Sequence, residues 1–551
     1  MSSRISSRSS ASASASASAS AAAAAAAFAL ALAFALAPAL SACGGEAPPR
    51  VVAAPPPLPP LPPPVATAPP ETPDAPFRQQ APAADGKITF VPPKIVEAQL
   101  KNGLRVLIVE RHELPVVGVR LVVGAGAGDY EGARPGALSF LGGMIEQGTK
   151  KRTALQISDD FEAIGAQHGA WFDWDSGGVS VKVLADKLDA ALELMSDVAL
   201  HATFPDAEVE RLRARRIAGI QSEKSSPGTV AQNALVAALF GRAHPYGHSL
   251  SGEEVDAKKL TRAELVRAYE RLFVPKNAAI VVAGDVTKDT LLPKLEATFG
   301  QWKSAQGALS HKGPKAVTKA ATDKRIVLVD RAGAQSQIQI FRPGVPYAVK
   351  DRESIVVMNA ILGGMFSSRI NLNLRERHGY TYGARSYFAM RHGAGPFLAG
   401  GSVHAEKTVP AIKEVFVELE GLRRDGPTED ELALAKESIR LAMPGRFETA
   451  GDVAAAVADL VVYDLPLDDL EKKLARIDAV TTADVKRVAA EYLKAEAMTV
   501  VIVGGKATLA PQLDSLGLGG FEERDPYGNP VDGAAPAAAT AAAPVTAPKK
   551  K

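Results

Sequence analysis

Hydrophobic and polar positions between residues 87 and 524 fall into two similar series of elements. In each series, short runs rich in valine, leucine and isoleucine predict strands, and longer amphipathic segments predict helices. The first series opens on LRVLIVE and closes on AAIVVAGDV, and the second opens on RIVLVD and closes on MTVVIVGGK. Strands and helices are mixed without strict alternation. The pattern therefore predicts an α+β fold of two homologous domains, each a mostly antiparallel sheet with helices on one face.

Two further segments align the halves. FPDAEVERL in the first half and PTEDELALA in the second both start a helix with a proline followed by acidic residues, which is typical of helix N-termini. The roughly 440 residues involved are too many for one hydrophobic core. We therefore predict a first domain at residues 87–310 and a second domain at residues 311–524.

The N-terminal residues 1–42 have the composition of an export signal. Arg4 and Arg8 precede an almost unbroken apolar run over residues 21–40, and the sequence LSAC, which ends at Cys43, resembles the lipobox of bacterial lipoproteins. A transmembrane anchor and a plain secretory peptide with a chance cysteine are the alternative interpretations. The lipobox interpretation predicts acylation of Cys43.

Lipidation would place the protein in the bacterial cell envelope. Cys43 is the only cysteine, so an acylated chain has no thiol left for a disulfide or a thiolate mechanism. Several acyl chains would anchor it persistently to a membrane. Gly44 follows in place of an aspartate retention signal, which favours the outer membrane, facing the periplasm. A net charge of +2 does not indicate a nucleic-acid partner.

Both flanks of the two-domain region are of low complexity. Residues 43–86 are rich in proline and alanine, which favours an extended tether that cannot bury a core. Residues 525–551 are assigned to a low-complexity tail.

Residues 136–149, GALSFLGGMIEQGT, resemble the signature of the insulinase (pitrilysin, mitochondrial-processing-peptidase) family, roughly G-L-A-H-F-L-E-H-M-x-F-x-G-T. That inverted zinc motif, H-x-x-E-H, supplies two imidazole ligands and a glutamate general base on one helix. Ser139, Gly142 and Gly143 stand at the three positions, and Gly219 stands where the family has its third ligand on a later helix. The resemblance covers nearly the whole two-domain region. It implies the family fold with a degenerate zinc site, no metal and no catalytic residue in this chain.

A second segment, LRERHGYTY at residues 374–382, resembles the family signature L-R-E-x-x-G-x-x-Y. In relatives the matching arginine and tyrosine hold the substrate's backbone carbonyls and help to stabilise the oxyanion. The resemblance thus implies substrate-binding roles for Arg375 and Tyr382. Taken singly, Arg375 equally fits an ion pair on a helix surface, and Tyr382 equally fits half-buried packing.

Some relatives divide these parts between two subunits. The resemblance implies a non-catalytic subunit of a heterodimeric zinc metallopeptidase, whose partners are peptide substrates and a zinc-bearing insulinase-family subunit. A stand-alone peptide-binding or scaffold lipoprotein is the alternative. A third hypothesis is an active peptidase with other ligands such as Glu146 or Glu223, although no histidine lies close to either in sequence.

Three other patterns predict no site. His244 and His248 are spaced as a metal pair, but the proline and glycine between them disfavour the helix that would align the rings, and a loop packed on the preceding helix is predicted. The glycines at 124, 126 and 128 lack dinucleotide spacing and predict a strand-to-helix connection. Residues 171–175, WFDWD, predict a hairpin tip.

Overall fold

The structure, a computed structural model, describes residues 90–303, 307 and 313–531. The export signal, Cys43, the tether and the tail beyond residue 531 lie outside these residues. The strands of the first half are β1 (Val96–Gln99), β2 (Arg105–Glu110), β3 (Val116–Val123), β4 (Gln167–Phe172), β5 (Gly177–Leu184) and β6 (Ala278–Gly284). Its helices are α1 (Ala137–Met144), α2 (Ala154–Ala163), α3 (Leu188–Leu200), α4 (Asp206–Glu223), α5 (Pro227–Phe240), α6 (Glu254–Lys259), α7 (Arg262–Leu272) and α8 (Lys288–Phe299).

The second half repeats this plan. Its strands are β7 (Ile326–Asp330), β8 (Gln335–Pro343), β9 (Ala384–Met390), β10 (Ala394–His404), β11 (Thr499–Gly504) and β12 (Phe521–Glu523). Its α-helices are α9 (Arg352–Asn359), α10 (Arg369–Asn371), α11 (Thr408–Asp425), α12 (Glu429–Ala442), α13 (Ala450–Val462), α14 (Asp469–Ala479), α15 (Thr482–Tyr492) and α16 (Lys506–Leu513). Two π-helical turns, Ala360–Gly364 and Leu372–Arg377, flank α10.

Each half contains one six-stranded sheet. The strand orders are β1-β2-β6-β3-β5-β4 and β12-β7-β11-β8-β10-β9. Only the β2–β6 pair is parallel in the first sheet, whereas β7 pairs in parallel with both β11 and β12 in the second. The predicted α+β fold of two similar, mostly antiparallel sheets is confirmed. The strands β6 and β11, which were predicted to close each series, lie inside the sheets and are buried along their whole length.

The helix starts follow the local sequence. Helices α2, α7 and α12 begin at capping boxes, in which Thr153, Thr261 and Thr428 accept hydrogen bonds from backbone N–H groups while a Gln or Glu three residues later bonds back. The helix α4 starts directly after Pro205, as its proline-acid entry predicted.

The two halves exchange one helix each. One face of each sheet, called here the first face, is covered by helices of the same half. The second face of the first sheet packs against α13, a helix of the second half, and the second face of the second sheet packs against α5, a helix of the first half. Gly118 on β3 permits the closest approach, because an added Cβ would lie 3.0 Å from the backbone of Ala450. The sequence predicted helices on one face only, so this reciprocal cover is an addition to the prediction.

The segment after β12 also joins the halves. Tyr527 donates a hydrogen bond from its hydroxyl to Glu254 Oε1 at 2.6 Å, and its carbonyl oxygen accepts one from Arg242. Residues 525–531, which the sequence analysis assigned to the low-complexity tail, therefore lie against the first half.

One stretch of the described residues, Arg352–Arg377, is long and apolar enough to cross a membrane, with a mean hydropathy of 1.3. More than half of its apolar window, 56%, is buried inside the protein. Ile355, Met358 and Leu362 belong to the core of the second half. The hydropathy of this stretch is accounted for by core packing.

A buried ionic cluster crosses the seam between the halves. His392 Nδ1 lies 2.9 Å from Asp129 Oδ2, and its Nε2 lies 2.6 Å from the carbonyl oxygen of Val462. Because a carboxylate and a carbonyl only accept hydrogen bonds, both ring nitrogens carry protons and the ring is an imidazolium. Asp175 accepts from the His392 backbone and from the Tyr463 hydroxyl. The two carboxylates and the ring lie close enough to hold a metal ion, but these hydrogen bonds already account for their arrangement.

The charge state of His392 makes this cluster sensitive to pH. Burial alone would lower the pKa of His392, but the hydrogen bond and the charge of Asp129, with the charge of Asp175, raise it to about 9. An unfolded histidine has a pKa of about 6.5. The stabilisation is therefore complete below about pH 6.5 and is lost as the pH rises through about 9.

We expect the thermal unfolding midpoint to fall across that window. Since a pKa unit corresponds to about 1.4 kcal/mol, the loss amounts to at most about 3 kcal/mol of unfolding free energy. Differential scanning fluorimetry from pH 6 to pH 10 measures it. The His392→Gln variant should lack this slope, whereas Tyr463→Phe, which keeps the imidazolium, should retain it. An unchanged slope in His392→Gln would contradict this role.

Candidate functional site

The helices α1 and α4 bring together the positions at which the resemblance places zinc ligands. Ser139 and Gly143 lie one turn apart on the partly exposed side of α1 that faces α4, where Leu212 packs 3.2 Å from an added Gly143 Cβ. Gly219 is exposed on α4, and a Cβ there would meet nothing within 4 Å. The geometry of the helix pair is present, but its side chains offer one hydroxyl and no imidazole or carboxylate.

Gly142 leaves no room for a side chain. An added Cβ would lie 2.8 Å from the backbone nitrogen of Phe172 and 2.9 Å from the carbonyl carbon of Trp171, both on the edge strand β4. Real Cβ atoms do not approach backbone this closely, so a glutamate here would require the helix to move away from the strand. The general-base position has therefore been closed by packing.

The second half contains the same feature. Gly363, in the first π-helical turn, lies against the edge strand β9, where an added Cβ would be 2.4 Å from the backbone nitrogen of Ser386. The sequence LGGM occurs at both places, at residues 141–144 and 362–365. Each half thus packs the first glycine of this pair onto the edge strand of its sheet. This repeat is visible in the sequence, but the sequence analysis did not use it.

Arg216 occupies the position next to the former ligand positions. Its Nη1 donates to Ser139 Oγ at 2.9 Å and to the carbonyl oxygen of Ser251 at 3.3 Å, and its guanidinium carbon lies 5.7 Å from the centre of the Phe140 ring. Ser139 Oγ in turn donates to the carbonyl oxygen of Leu250 at 2.8 Å. A positively charged side chain thus contacts a residue at which the resemblance places a zinc ligand.

This donor set does not fit a zinc ion. Structural and catalytic zinc sites need three or four thiolate, imidazole or carboxylate ligands. Burial lowers the pKa of Arg216, and attraction to Glu223 compensates only in part. A cation at this place would add a second positive charge to one that is already poorly solvated.

The third hypothesis, a site built on other acids, is not supported by the geometry. Glu146 pairs with His168 Nδ1 at 2.8 Å, a histidine distant in sequence. No third such side chain joins these two at metal-binding distance among the residues that the structure describes. Glu223 ends α4 and faces Arg216 only through a long-range interaction.

Arg375 and Tyr382 both reach the surface of the second half, and we call the surface around them the Arg375–Tyr382 face. Arg375 belongs to the second π-helical turn, a geometry that is rare and frequent at functional sites. Its guanidinium lies 4.6 Å from the centre of the Phe366 ring, and its Nε is 3.4 Å from Glu376 Oε1. The phenol of Tyr382 is 86% exposed, so the alternative of half-buried packing is wrong for this residue.

Asn371 holds this face together. Its buried side chain donates to the carbonyl oxygen of Phe366 at 2.6 Å and accepts from the backbone nitrogen of Ala384 at 3.1 Å. One amide thereby ties the loop that carries Phe366 to the loop that carries Tyr382. Phe366 is itself 67% exposed, and the sequence analysis missed it because a phenylalanine beside a glycine pair reads as core.

No hydrogen bond or ion pair connects this face with the Ser139–Arg216 pair among the described residues.

The two histidines of the rejected metal pair behave as predicted. His244 stacks on Phe240 at the end of α5, with ring centres 4.9 Å apart, and His248 bonds to the carbonyl oxygen of Arg242. The predicted hairpin tip is also present, since Asp173 and Ser176 close a turn between β4 and β5.

Comparisons with known proteins cover both halves. Residues 105–254 match the family model described as Insulinase (Peptidase family M16), and residues 259–439 match the model described as Peptidase M16 inactive domain. An uncharacterized zinc protease of Mycobacterium tuberculosis is 26% identical over 76% of this chain and 95% of its own. One of Bacillus subtilis is 24% identical over 62% of this chain and 81% of its own.

Solved structures of other proteins are also similar to this chain over both halves. A peptidase M16 inactive domain from Pseudomonas fluorescens has a TM-score of 0.68 and 26% identity, covering 75% of this chain and 98% of that one. A protease from Helicobacter pylori has the same TM-score at 22% identity, covering 75% of this chain and 100% of that one. The similarity extends over the two-domain region as a whole.

The packing at Gly142 and Gly219 predicts opposite effects of the same substitution. Gly142→Ala should lower the unfolding free energy by about 1–3 kcal/mol, because the methyl group meets the backbone of β4. Gly219→Ala should raise it by up to about 1 kcal/mol, because alanine is the better helix former and the space is open. Urea denaturation compares the two variants with the wild type. A Gly142→Ala protein as stable as the wild type would show that the helix does not lie this close to the strand.

Proposed function

Because this chain has the two-domain fold of the insulinase family, we propose that it is the non-catalytic subunit of a heterodimeric zinc metallopeptidase. It lacks zinc ligands and supplies Arg375 and Tyr382 to peptide substrates that a zinc-bearing insulinase-family partner cleaves. The exposed face that Asn371 braces is the single observation that supports this most strongly. A guanidinium and a phenol held at the surface, close to the edge strand β9, remain available to a peptide.

The chemistry that these groups offer is hydrogen-bond donation to carbonyl oxygens. Arginine presents several N–H groups in a fixed plane, and tyrosine presents one O–H. Such donors stabilise the negative charge that develops on a carbonyl during peptide hydrolysis, and they do so most effectively when their positions are fixed beforehand. Phe366 restrains Arg375 in this way by packing against the face of its guanidinium.

Position in the cell envelope is part of the proposal. A lipid on Cys43 and a proline-rich tether would hold the two domains at the outer membrane, facing the periplasm. Metabolic labelling with a fatty-acid analogue should mark the wild type and not Cys43→Ser. Labelling that persists in Cys43→Ser would exclude lipidation at this residue.

The proposed binding of substrate carbonyl oxygens by Arg375 and Tyr382, which we call the clamp, predicts a large effect of Arg375→Ala on cleavage by the assembled pair. The variant should cut a reporter peptide roughly 100-fold more slowly, as expected for removal of one transition-state donor, while still assembling with its partner. Arg377→Ala is the matched control, because the Arg377 side chain is 68% exposed two residues away and approaches only Glu418, at 3.7 Å. Cleavage that is unchanged in Arg375→Ala would exclude the clamp.

A stand-alone scaffold lipoprotein with the same fold is the second candidate. The absent zinc ligands favour it as much as they favour the heterodimer. An affinity pull-down from the native membrane, with mass spectrometry and metal analysis, separates the two. A co-purifying H-x-x-E-H relative with about one zinc per pair supports the heterodimer. A zinc-free preparation without such a relative supports the scaffold.

A further inference from the structure

Arg216 is a partly buried arginine whose burial is offset only in part by attraction to Glu223, seven residues further along α4. The contacts of its guanidinium, Ser139 Oγ, the Ser251 carbonyl oxygen and the Phe140 ring, are all neutral. No carboxylate lies within 4.0 Å of it among the residues that the structure describes. A guanidinium has five N–H donors, and both hydrogen bonds of Arg216 use Nη1, so Nε and Nη2 have donors to offer.

Two of the other arginines of α4 differ from Arg216 in their partners. Arg211 pairs with Glu208 at 2.6 Å and Arg213 pairs with Glu210 at 3.0 Å, each three residues earlier on the helix. The positions three and four residues from Arg216 on both sides carry no acid. The helix therefore neutralises two of its four arginines internally, whereas the exposed Arg215 and the partly buried Arg216 have no ion pair on it.

The space beside Arg216 is open. Gly219 lies one turn further along α4, is exposed, and would meet nothing within 4 Å if it had a Cβ. Across from it, Ser139 and Gly143 have small side chains where the family has imidazoles. Ser139, Gly143, Arg216 and Gly219 thus lie on two helices that pack together, with the positive charge of Arg216 beside residues that have little or no side chain. We call these four residues the arginine groove.

We propose that the arginine groove binds a peptide carboxylate, with the fork of Arg216 as its principal donor. A carboxylate matches a guanidinium in plane and charge and can accept two of its N–H groups at once. The C-terminal carboxylate of a peptide and an acidic side chain share this chemistry. The inference rests on the proposed role in peptide binding, but it concerns the first half of the chain and requires neither the partner nor cleavage.

Fluorescence anisotropy on the purified chain alone tests this. Three labelled peptides of one neutral sequence are compared: one with a free C-terminal carboxylate, one amidated, and one amidated with an internal glutamate. We expect the free acid, the glutamate peptide or both to bind about tenfold more tightly than the neutral amide, as for a charge-assisted hydrogen bond. Preference for the free acid alone identifies the C-terminus as the ligand, and equal binding of the glutamate peptide identifies acidic side chains.

Arg216→Gln should abolish this preference, and Arg216→Lys, which keeps the charge without the planar fork, should reduce it. Arg215→Gln is the control for general electrostatics, because Arg215 is exposed on the same helix. Equal binding of acid and amide by the wild type overturns the proposal. So does a preference that survives Arg216→Gln or that Arg215→Gln removes to the same extent. If Arg216→Gln does not fold, the comparison of Arg216→Lys with Arg215→Gln decides.

The outcome of the carboxylate-binding test does not depend on whether Arg375 and Tyr382 act as the clamp. Loss of cleavage in Arg375→Ala is measured in the assembled pair, whereas carboxylate preference is measured in the isolated chain. An arginine groove that binds carboxylates in a protein with no partner would support the scaffold alternative with a defined ligand. An intact clamp without carboxylate preference would leave the heterodimer and remove only the groove.

Discussion

The structure depends on the exchange of one helix between two similar halves. Each sheet has two apolar faces, and helices of its own half cover one of them. The first sheet is completed by α13, from the second half, and the second sheet is completed by α5, from the first. Burial of these faces is the main stabilising term at the seam, since apolar area removed from water contributes roughly 25 cal/mol per Å². The imidazolium of His392, bonded to Asp129 across the seam, adds specificity to an otherwise non-directional contact.

The same close packing is found where the resemblance places the zinc site. In both halves one glycine lets a helical segment approach the edge strand until no side chain fits between them. At Gly142 this approach leaves no room for the general base that the resemblance implies, and at Ser139 a guanidinium supplies a local positive charge. The site is thus closed by steric and by electrostatic means. Substitution of the ligands alone would leave both obstacles in place.

The sequence predicted the fold class well, because valine-rich strands and capped helices are local signals. The paired series, the proline-acid entry to α4 and the loop at His244 all rest on neighbouring residues. What it did not predict depends on contacts between distant residues. The helix exchange joins β3 to residues more than three hundred positions later, and the role of Asn371 depends on two loops that meet only in the fold. Arg216 was overlooked because it is one of four arginines on a charged helix, and only the structure shows that it contacts Ser139 instead of an acid.

The helix exchange also has a consequence for biosynthesis. A ribosome releases this chain from its N-terminus, so β2, β3 and β6 are complete long before residues 450–462, which form α13, have been made. During that interval the valine- and alanine-rich second face of the first sheet is bare, and exposed apolar faces of this kind favour aggregation. The nascent first half is therefore most exposed to aggregation before residues 450–462 have been made.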